Sequence, residues 1–326
     1  MCKKVEIIHH DDFDGISAAG IMAVFLKEYY QEVLEINYQA IDYHQLDEFF
    51  ARDLVHETAV VDFPLHPQAT WWFDHHSTSF LNEKSRESYR EGSHMCWDPK
   101  AYSCPQILLS TIQQHFPKIY SEKMTGFQQI TEKANMIDSA LYPSVEHIYD
   151  LSDPYTTFNH MLSNRKDTAI RTQFLDALEN DNLASWFNTE DFLTRKETLL
   201  ENLTYQKEYV QNHIKVVNGI AEIDFLENKL GVDRFLHYII YPDVAYTITL
   251  SLKNGYHLGV GRNPWKKSDS LDIGQFLKEY GGGGRQNVGA LICSSEQKLR
   301  ELAATIQRKL LEQLASDNST RTSSVA

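Results

Sequence analysis

The first half of the chain alternates short apolar runs with longer segments of helical periodicity. Val5 to Ile8 (VEII) is a β-prone run, a polar cluster follows, and SAAGIMAVFLKEYY (17–30) has a helical pattern. INYQAIDYH (36–44) predicts a second strand. TAVVDF (58–63) predicts a buried strand stopped by Pro64, and ATWWFDHH (69–76) another. Short apolar strands alternating with helices predict an α/β fold with a mainly parallel sheet. SCPQILLSTIQQHF (103–116) and GFQQITEKANMID (126–138) read as helices.

From about 150 to 215 the pattern is helical throughout, ending in ETLLENLTYQKEYVQNHIK. The texture then changes. AEIDFLE, VAYTITLSL and YHLGVG read as strands, with a turn at Lys253-Asn254-Gly255. A glycine run, the apolar VGALIC and an amphipathic helix from Ser295 to about Leu314 follow. The expected division is a first α/β domain over 1–150, a helical connector over 151–215, a smaller α/β domain over 216–316 and a polar tail over 317–326. No internal repeat is visible.

Composition narrows the function classes. The 326 residues carry a net charge of -14, from 31 basic and 45 acidic residues. Gripping long duplex nucleic acid needs a basic surface, so short nucleotides held by a few local cations are the expected nucleic-acid partners. Cys2, Cys96, Cys104 and Cys293 form no CxxC pair, and reduced thiols in a cytoplasmic protein are the simplest reading. No signal-peptide pattern or membrane span is visible, so no membrane partner is expected.

Three apolar strands end in acids or imidazoles. VEIIHHDDFDG brings His9, His10, Asp11, Asp12 and Asp14; AVVDF brings Asp62; WWFDHH brings Asp74, His75 and His76. Each alone reads equally as a solvated loop, a helix cap or a strand end. Parallel α/β sheets, however, gather the carboxyl ends of their strands at one edge, where ligands bind. Carboxylates pooled there repel one another unless cations neutralise them. Mixed carboxylate and imidazole donors suit Mn²⁺, Fe²⁺, Co²⁺ or Zn²⁺. A carboxylate bridging two such ions gives a hydrolytic site in which a hydroxide attacks a phosphoryl group. Gly15, with Ser17, Ala18 and Ala19, lets the backbone turn tightly and the helix approach the sheet.

His10 to Gly20 (HDDFDGISAAG), the strand-end Asp62 and Asp74-His75-His76 resemble, in order and separation, the first three motifs of the DHH phosphoesterases. Asp138 in ANMIDSALYPS is the best match to the fourth. The resemblance implies a dinuclear centre, most often manganese. Asp12 would bind one ion with His10 as companion, Asp14, His75 and Asp138 would bind the other, and Asp62 would bridge them. His76 would contact the scissile phosphate. Asp74 would fix a histidine tautomer rather than bind metal, and His9 and Asp11 fall one step off the pattern.

EYGGGGRQNVGA (279–290) is the other informative stretch. Its glycines offer bare N–H groups that wrap a phosphate or carboxylate, or form a plain flexible loop. It resembles the glycine-rich motif of the DHH-associated C-terminal domain, with Arg285 where a histidine is usual. Arginine binds phosphate bidentately and cannot act as a near-neutral acid or base. The resemblance implies substrate binding by Gly282, Gly283, Gly284 and Arg285, and by Arg262 and Asn263, which stand where the family has an arginine-containing strand end that helps hold nucleotide; Lys266 and Lys267 add local positive charge. The resemblance covers nearly the whole chain and is nearest to the compact nano-RNase and phosphoadenosine-phosphatase type. It implies hydrolysis of short oligonucleotides, linear dinucleotides or related nucleotide phosphates, with substrate in a cleft between the domains and a homodimer possible. A pyrophosphatase or exopolyphosphatase of the same superfamily, and a non-catalytic nucleotide-binding protein, are the alternatives.

Overall fold

A computed structural model describes residues 3–54, 57–163, 167–227, 232–233, 235–252, 255–266 and 271–323, with the side chains of Arg285 and of 317–323 outside the described set. Cys2, Lys253, Asn254 and Lys267 lie outside the described residues. Contacts divide the chain into two units, Met1–Tyr142 with Ile148–Leu199, and Pro143–His147 with Leu200–Ala326.

The first unit is built on five parallel strands: β1 (Lys3–His10), β2 (Leu34–Ile41), β3 (Glu57–Val61), β4 (Trp71–Asp74) and β5 (Met95–Trp97). Their spatial order is β2-β1-β3-β4-β5. Adjacent residues of a strand point to opposite faces. Ile7, Val61, Trp71 and Phe73 accordingly join one apolar cluster, and Ile8, Val60 and Trp72 join another. Burial on both faces explains why these strands read as continuous apolar runs. β5 has only three half-buried residues and left no pattern to read.

Helix α1 (Phe13–Tyr30) packs on the first cluster through Ile16, Ala18, Ala19, Met22 and Phe25. Helices α2 (Cys104–His115) and α3 (Gln128–Asp138) follow, capped at the start of α2 by Ser103. In the stretch read as a connector, α4 (Pro154–Leu162) and α5 (Thr168–Glu179) place Phe158, Phe174 and Leu178 in the same cluster.

The helix Glu190–His213 begins in the first unit, ends in the second and gives way to strand just before the expected boundary at 215. The strands are β6 (Ile214–Val217), β7 (Ile220–Phe225), β8 (Tyr246–Leu252), β9 (Tyr256–Arg262), β10 (Gly283–Arg285) and β11 (Val288–Cys293). They form one mixed sheet in the order β10-β11-β9-β8-β7-β6, with only the β7–β8 pair parallel. The last helix, Glu296–Ser323, lays Leu299, Ala303, Ile306 and Leu310 on the sheet at helical spacing. It runs on into the segment expected as a frayed polar tail. No helix among the described residues is long and apolar enough to cross a membrane.

Candidate metal centre

The parallel register delivers the acids and imidazoles to one edge. His10 is the last residue of β1, Asp62 follows β3, and Asp74 ends β4 just before His75 and His76. Asp12 caps α1, its Oδ1 accepting from Gly15 N at 2.9 Å. Asp14 lies in the first helical turn, where backbone N–H groups and the helix dipole favour negative charge. Gly15 is obligatory for a reason the sequence only hinted at. A Cβ there would stand 2.3 Å from the His10 carbonyl oxygen, so any side chain would push α1 away from the ligand strand.

Asp62 is the centre of the arrangement. It leaves β3 in a left-handed conformation, φ 57°, with its N–H donating to Phe73 O at 2.9 Å. It is 1 % exposed, and neither carboxylate oxygen has a hydrogen-bond partner among the described residues. Around it lie His10 Nδ1 at 3.7 Å, His75 Nε2 at 3.5 Å and His76 Nδ1 at 3.6 Å. His10 Nδ1 is also 2.7 Å from Asp12 Oδ2. His75 Nε2 is 3.2 Å from Asp14 Oδ2 and 3.5 Å from Asp138 Oδ2. Three donor sets result: His10 with Asp12 and Asp62, Asp14 with His75 and Asp138, and Asp62 with His75 and His76, the atoms of each within 4.8 Å of one another.

The outer contacts fix the donors. His75 Nδ1 lies 3.1 Å from Ala101 O, which calls for the proton on Nδ1 and leaves Nε2 to face the acids. Asp74, 0 % exposed, lies in none of the donor sets. It accepts from the backbone N–H of His75 at 2.8 Å and from Ser79 Oγ at 2.5 Å, and it sits 2.8 Å from His76 Nδ1. Asp14 accepts from Cys104 N, the first amide of α2, at 3.0 Å. Asp11 turns the other way. Arg171, on α5 and 6 % exposed, donates to it at 2.6 Å and to Leu162 O and Asp167 O at 2.9 Å each. Arg171 thereby ties the β1–α1 loop to a helix 160 residues away, and nothing in the sequence pointed to it.

Tyr43 was also missed. It stands just beyond β2, and Asp42 and Gln45 form a capping box that pins the turn. Its ring lies 5.3 Å from that of His10, 5.2 Å from Phe63 and 6.3 Å from His76, so it reaches across the ends of β1, β3 and β4.

Electrostatics describe a site built for cations. Burial raises Asp14 well above the carboxylate range, reinforced by the charge of Asp62, and the same causes lift Asp138 to about 6. For His10 and His75 burial acts downward, but the nearby carboxylates of Asp12 and Asp62, and of Asp14 and Asp62, outweigh it. They rise to about 11 and about 12. Histidines are the only side chains at ion-pair distance from Asp14 and Asp62 among the described residues. Buried carboxylate oxygens and an imidazole nitrogen without hydrogen bonds, spaced as convergent donors, fit divalent ions.

In the second unit the expected substrate residues fare differently. Asn263 faces inward. It is 2 % exposed, its amide donates to Val244 O at 2.8 Å and Pro242 O at 3.3 Å, and its Oδ1 accepts from Trp265 N at 3.0 Å. The amide holds the turn after β9, with both of its N–H groups committed there. The glycine N–H groups are not all bare either: Gly281 donates to Lys278 O at 3.1 Å and Gly282 to Leu277 O at 2.9 Å, closing the helix Ile273–Lys278. A Cβ at Gly282 would meet Ala290 O at 2.6 Å, and one at Gly284 would meet Val288 O at 2.2 Å. Gly283 has open space around it. Arg262 donates to the Asn287 side chain, in the turn between β10 and β11, and Lys266 pairs with Asp243 at 3.2 Å.

No family model matches the chain, and no curated protein matches it. Among solved structures, the pGpG-specific phosphodiesterase PggH from Vibrio cholrae aligns with a TM-score of 0.71 at 18 % identity, over 97 % of this chain and 99 % of that one. The chain has the fold of that phosphodiesterase. An exopolyphosphatase-related protein from Bacteroides fragilis aligns with a TM-score of 0.49 at 13 % identity, over 95 % of this chain and 94 % of its own. RecJ in complex with Mn²⁺ from Thermus thermophilus aligns with a TM-score of 0.49 at 10 % identity, over 93 % of this chain and 52 % of that one. At these identities the likeness is one of fold, and the chemistry has to be argued from this chain's own donors.

Proposed function

We propose that the protein is a metal-dependent phosphoesterase that hydrolyses phosphoester bonds of short oligonucleotides, linear dinucleotides or related nucleotide phosphates. The observation that carries this reading is Asp62: a buried carboxylate with both oxygens unpartnered and common to two donor sets, Oδ2 nearest His10 and Oδ1 nearest His75 and His76. His10, Asp12 and Asp62 would hold one divalent ion, and Asp14, His75, Asp138 and Asp62 a second; mixed oxygen and nitrogen donors suit several such ions, of which Mn²⁺ is the one the family resemblance implies. Bound there, the ions would supply Lewis-acid activation of water and neutralisation of phosphoryl charge. The chain's own part is to hold and orient. Asp74 keeps the His76 ring turned toward the site, where it orients the phosphate. Arg171 keeps Asp11 out of the donor sets. Arg285, with Arg262 beside the β10–β11 turn, binds the nucleotide's remaining anionic group.

The test is turnover with Mn²⁺ of a panel: the linear dinucleotide pGpG, which the Vibrio protein is named for, 3′-phosphoadenosine 5′-phosphate, a cyclic dinucleotide and pyrophosphate. Turnover of one of the nucleotides is expected. Hydrolysis of pyrophosphate alone would remove the nucleotide reading, and tight nucleotide binding with no turnover of any compound would make the protein a binding module.

A further inference from the structure

We propose that the Tyr43 hydroxyl is a substrate-contacting group of the metal centre, donating a hydrogen bond to a non-bridging oxygen of the phosphoryl group under attack. The inference rests on the phosphoesterase reading. It adds to that reading a residue from a fourth strand end, that of β2, which carries none of the three donor sets.

The argument begins with placement. β2 pairs in parallel with β1 so that Ile41 lies beside His10, which puts Tyr43 level with the metal-binding loop. The chain does not carry on past this edge. Asp42 accepts from Tyr43 N, and Gln45 Oε1 accepts from Asp42 N at 3.0 Å, so the turn is locked from both sides. One flank of the ring packs on Phe63 in the apolar cluster under the sheet edge. The ring meets His10 edge-on at 5.3 Å and His76 edge-on at 6.3 Å. Those two histidines belong to different donor sets, with Asp62 common to both. The aromatic body is therefore fixed against the rim of the site.

The second strand of the argument is hydrogen bonding. A phenol that packs its ring usually finds a partner for its hydroxyl. Tyr43 is half-buried, and among the described residues it donates through its backbone N–H to Asp42 Oδ1 while its hydroxyl donates to no side chain or backbone group. An uncommitted neutral donor held over a cation-binding cluster suits an incoming phosphoryl oxygen. A donor fixed before the reaction stabilises charge that develops in the transition state without reorganising.

The test is Tyr43→Phe in the full chain, which keeps the ring and removes only the hydroxyl. Three readouts are needed: manganese content by elemental analysis, kcat and KM on whichever dinucleotide the wild type hydrolyses, and affinity of the Mn²⁺-loaded protein for orthophosphate by titration calorimetry. We expect unchanged manganese, kcat lower by about 100-fold, the loss typical of removing one such donor, and weaker orthophosphate binding. A kcat within twofold of wild type overturns the proposal. So does a parallel loss of manganese, because Tyr43 would then act through the ligands. If the wild type hydrolyses no nucleotide, the phosphoesterase reading has failed separately. Tyr43 is then judged by orthophosphate alone, and equal affinity in wild type and Tyr43→Phe overturns its role.

Discussion

The carboxyl edge of the first sheet and the glycine run of the second treat buried polar groups in opposite ways. At the carboxyl edge of the first sheet, Asp62 and His75 Nε2 are buried and left without hydrogen bonds. Around the glycine run of the second sheet, polar groups are buried and engaged: Asn263 makes three contacts to backbone, and two glycine N–H groups close a helix. Leaving a buried polar atom unpaired costs about 1–3 kcal/mol. Only one of these regions tolerates that cost, and it is the one whose donors converge. The glycines of the second sheet are explained by close backbone approach at Gly282 and Gly284, a mechanical requirement that stands whether or not a phosphate ever binds.

This contrast can be attacked most directly at Asp62. Asp62→Asn keeps the left-handed backbone, which asparagine tolerates, and removes one charge. We expect kcat/KM to fall by well over about 100-fold, beyond the 10–100-fold typical of an outer partner, together with loss of manganese. Full activity with full metal content would show that Asp62 is not shared between ions. Asp74→Asn tests the outer layer: a fall of about 10–100-fold in activity or metal affinity is expected, read by the same assays, and a collapse as deep as that of Asp62→Asn would make Asp74 a ligand.

The second sheet offers the smaller effects. Arg285→Ala should raise KM about tenfold, the equivalent of one charge-assisted hydrogen bond of roughly 1.4 kcal/mol, with manganese unchanged. An unaltered KM would take Arg285 out of substrate binding. Asn263→Ala should leave KM alone and lower stability to urea by about 1–3 kcal/mol, because two carbonyls and an N–H lose their partner. A raised KM with unchanged stability would restore Asn263 to the substrate set.

The difference between the sheets also sets what could be read from the chain. Asp12, Asp14, Asp62 and His75 announce themselves because parallel strands deliver their ends to one edge, and each lies within a few residues of the end of an apolar run. Asp74 is equally prominent in sequence, yet it faces Ser79 and the following amides. Asn263 follows a strand just as Asp62 does. One amide faces in and the other carboxylate faces a donor set, and only three-dimensional neighbours decide which. Arg171 and Tyr43 were invisible for another reason. Each acts from an element remote from the motifs, Arg171 from a helix on the far side of the chain's order and Tyr43 from a strand end with no acid in line. The three residues of β5 carry too little pattern to be distinguished from loop.

The left-handed backbone at Asp62 carries a consequence for how such a protein evolves. A non-glycine residue with φ 57° gives up about 1–2 kcal/mol relative to a relaxed backbone, and here the same residue also buries an unpaired carboxylate. Folding by itself would favour glycine at this position. Asp62→Gly should therefore melt at a higher temperature than the wild type when both are stripped of metal in chelator, while being inert as a catalyst. A trade between thermostability and activity is then concentrated in one residue, and selection for stability alone would erase the centre by a single substitution.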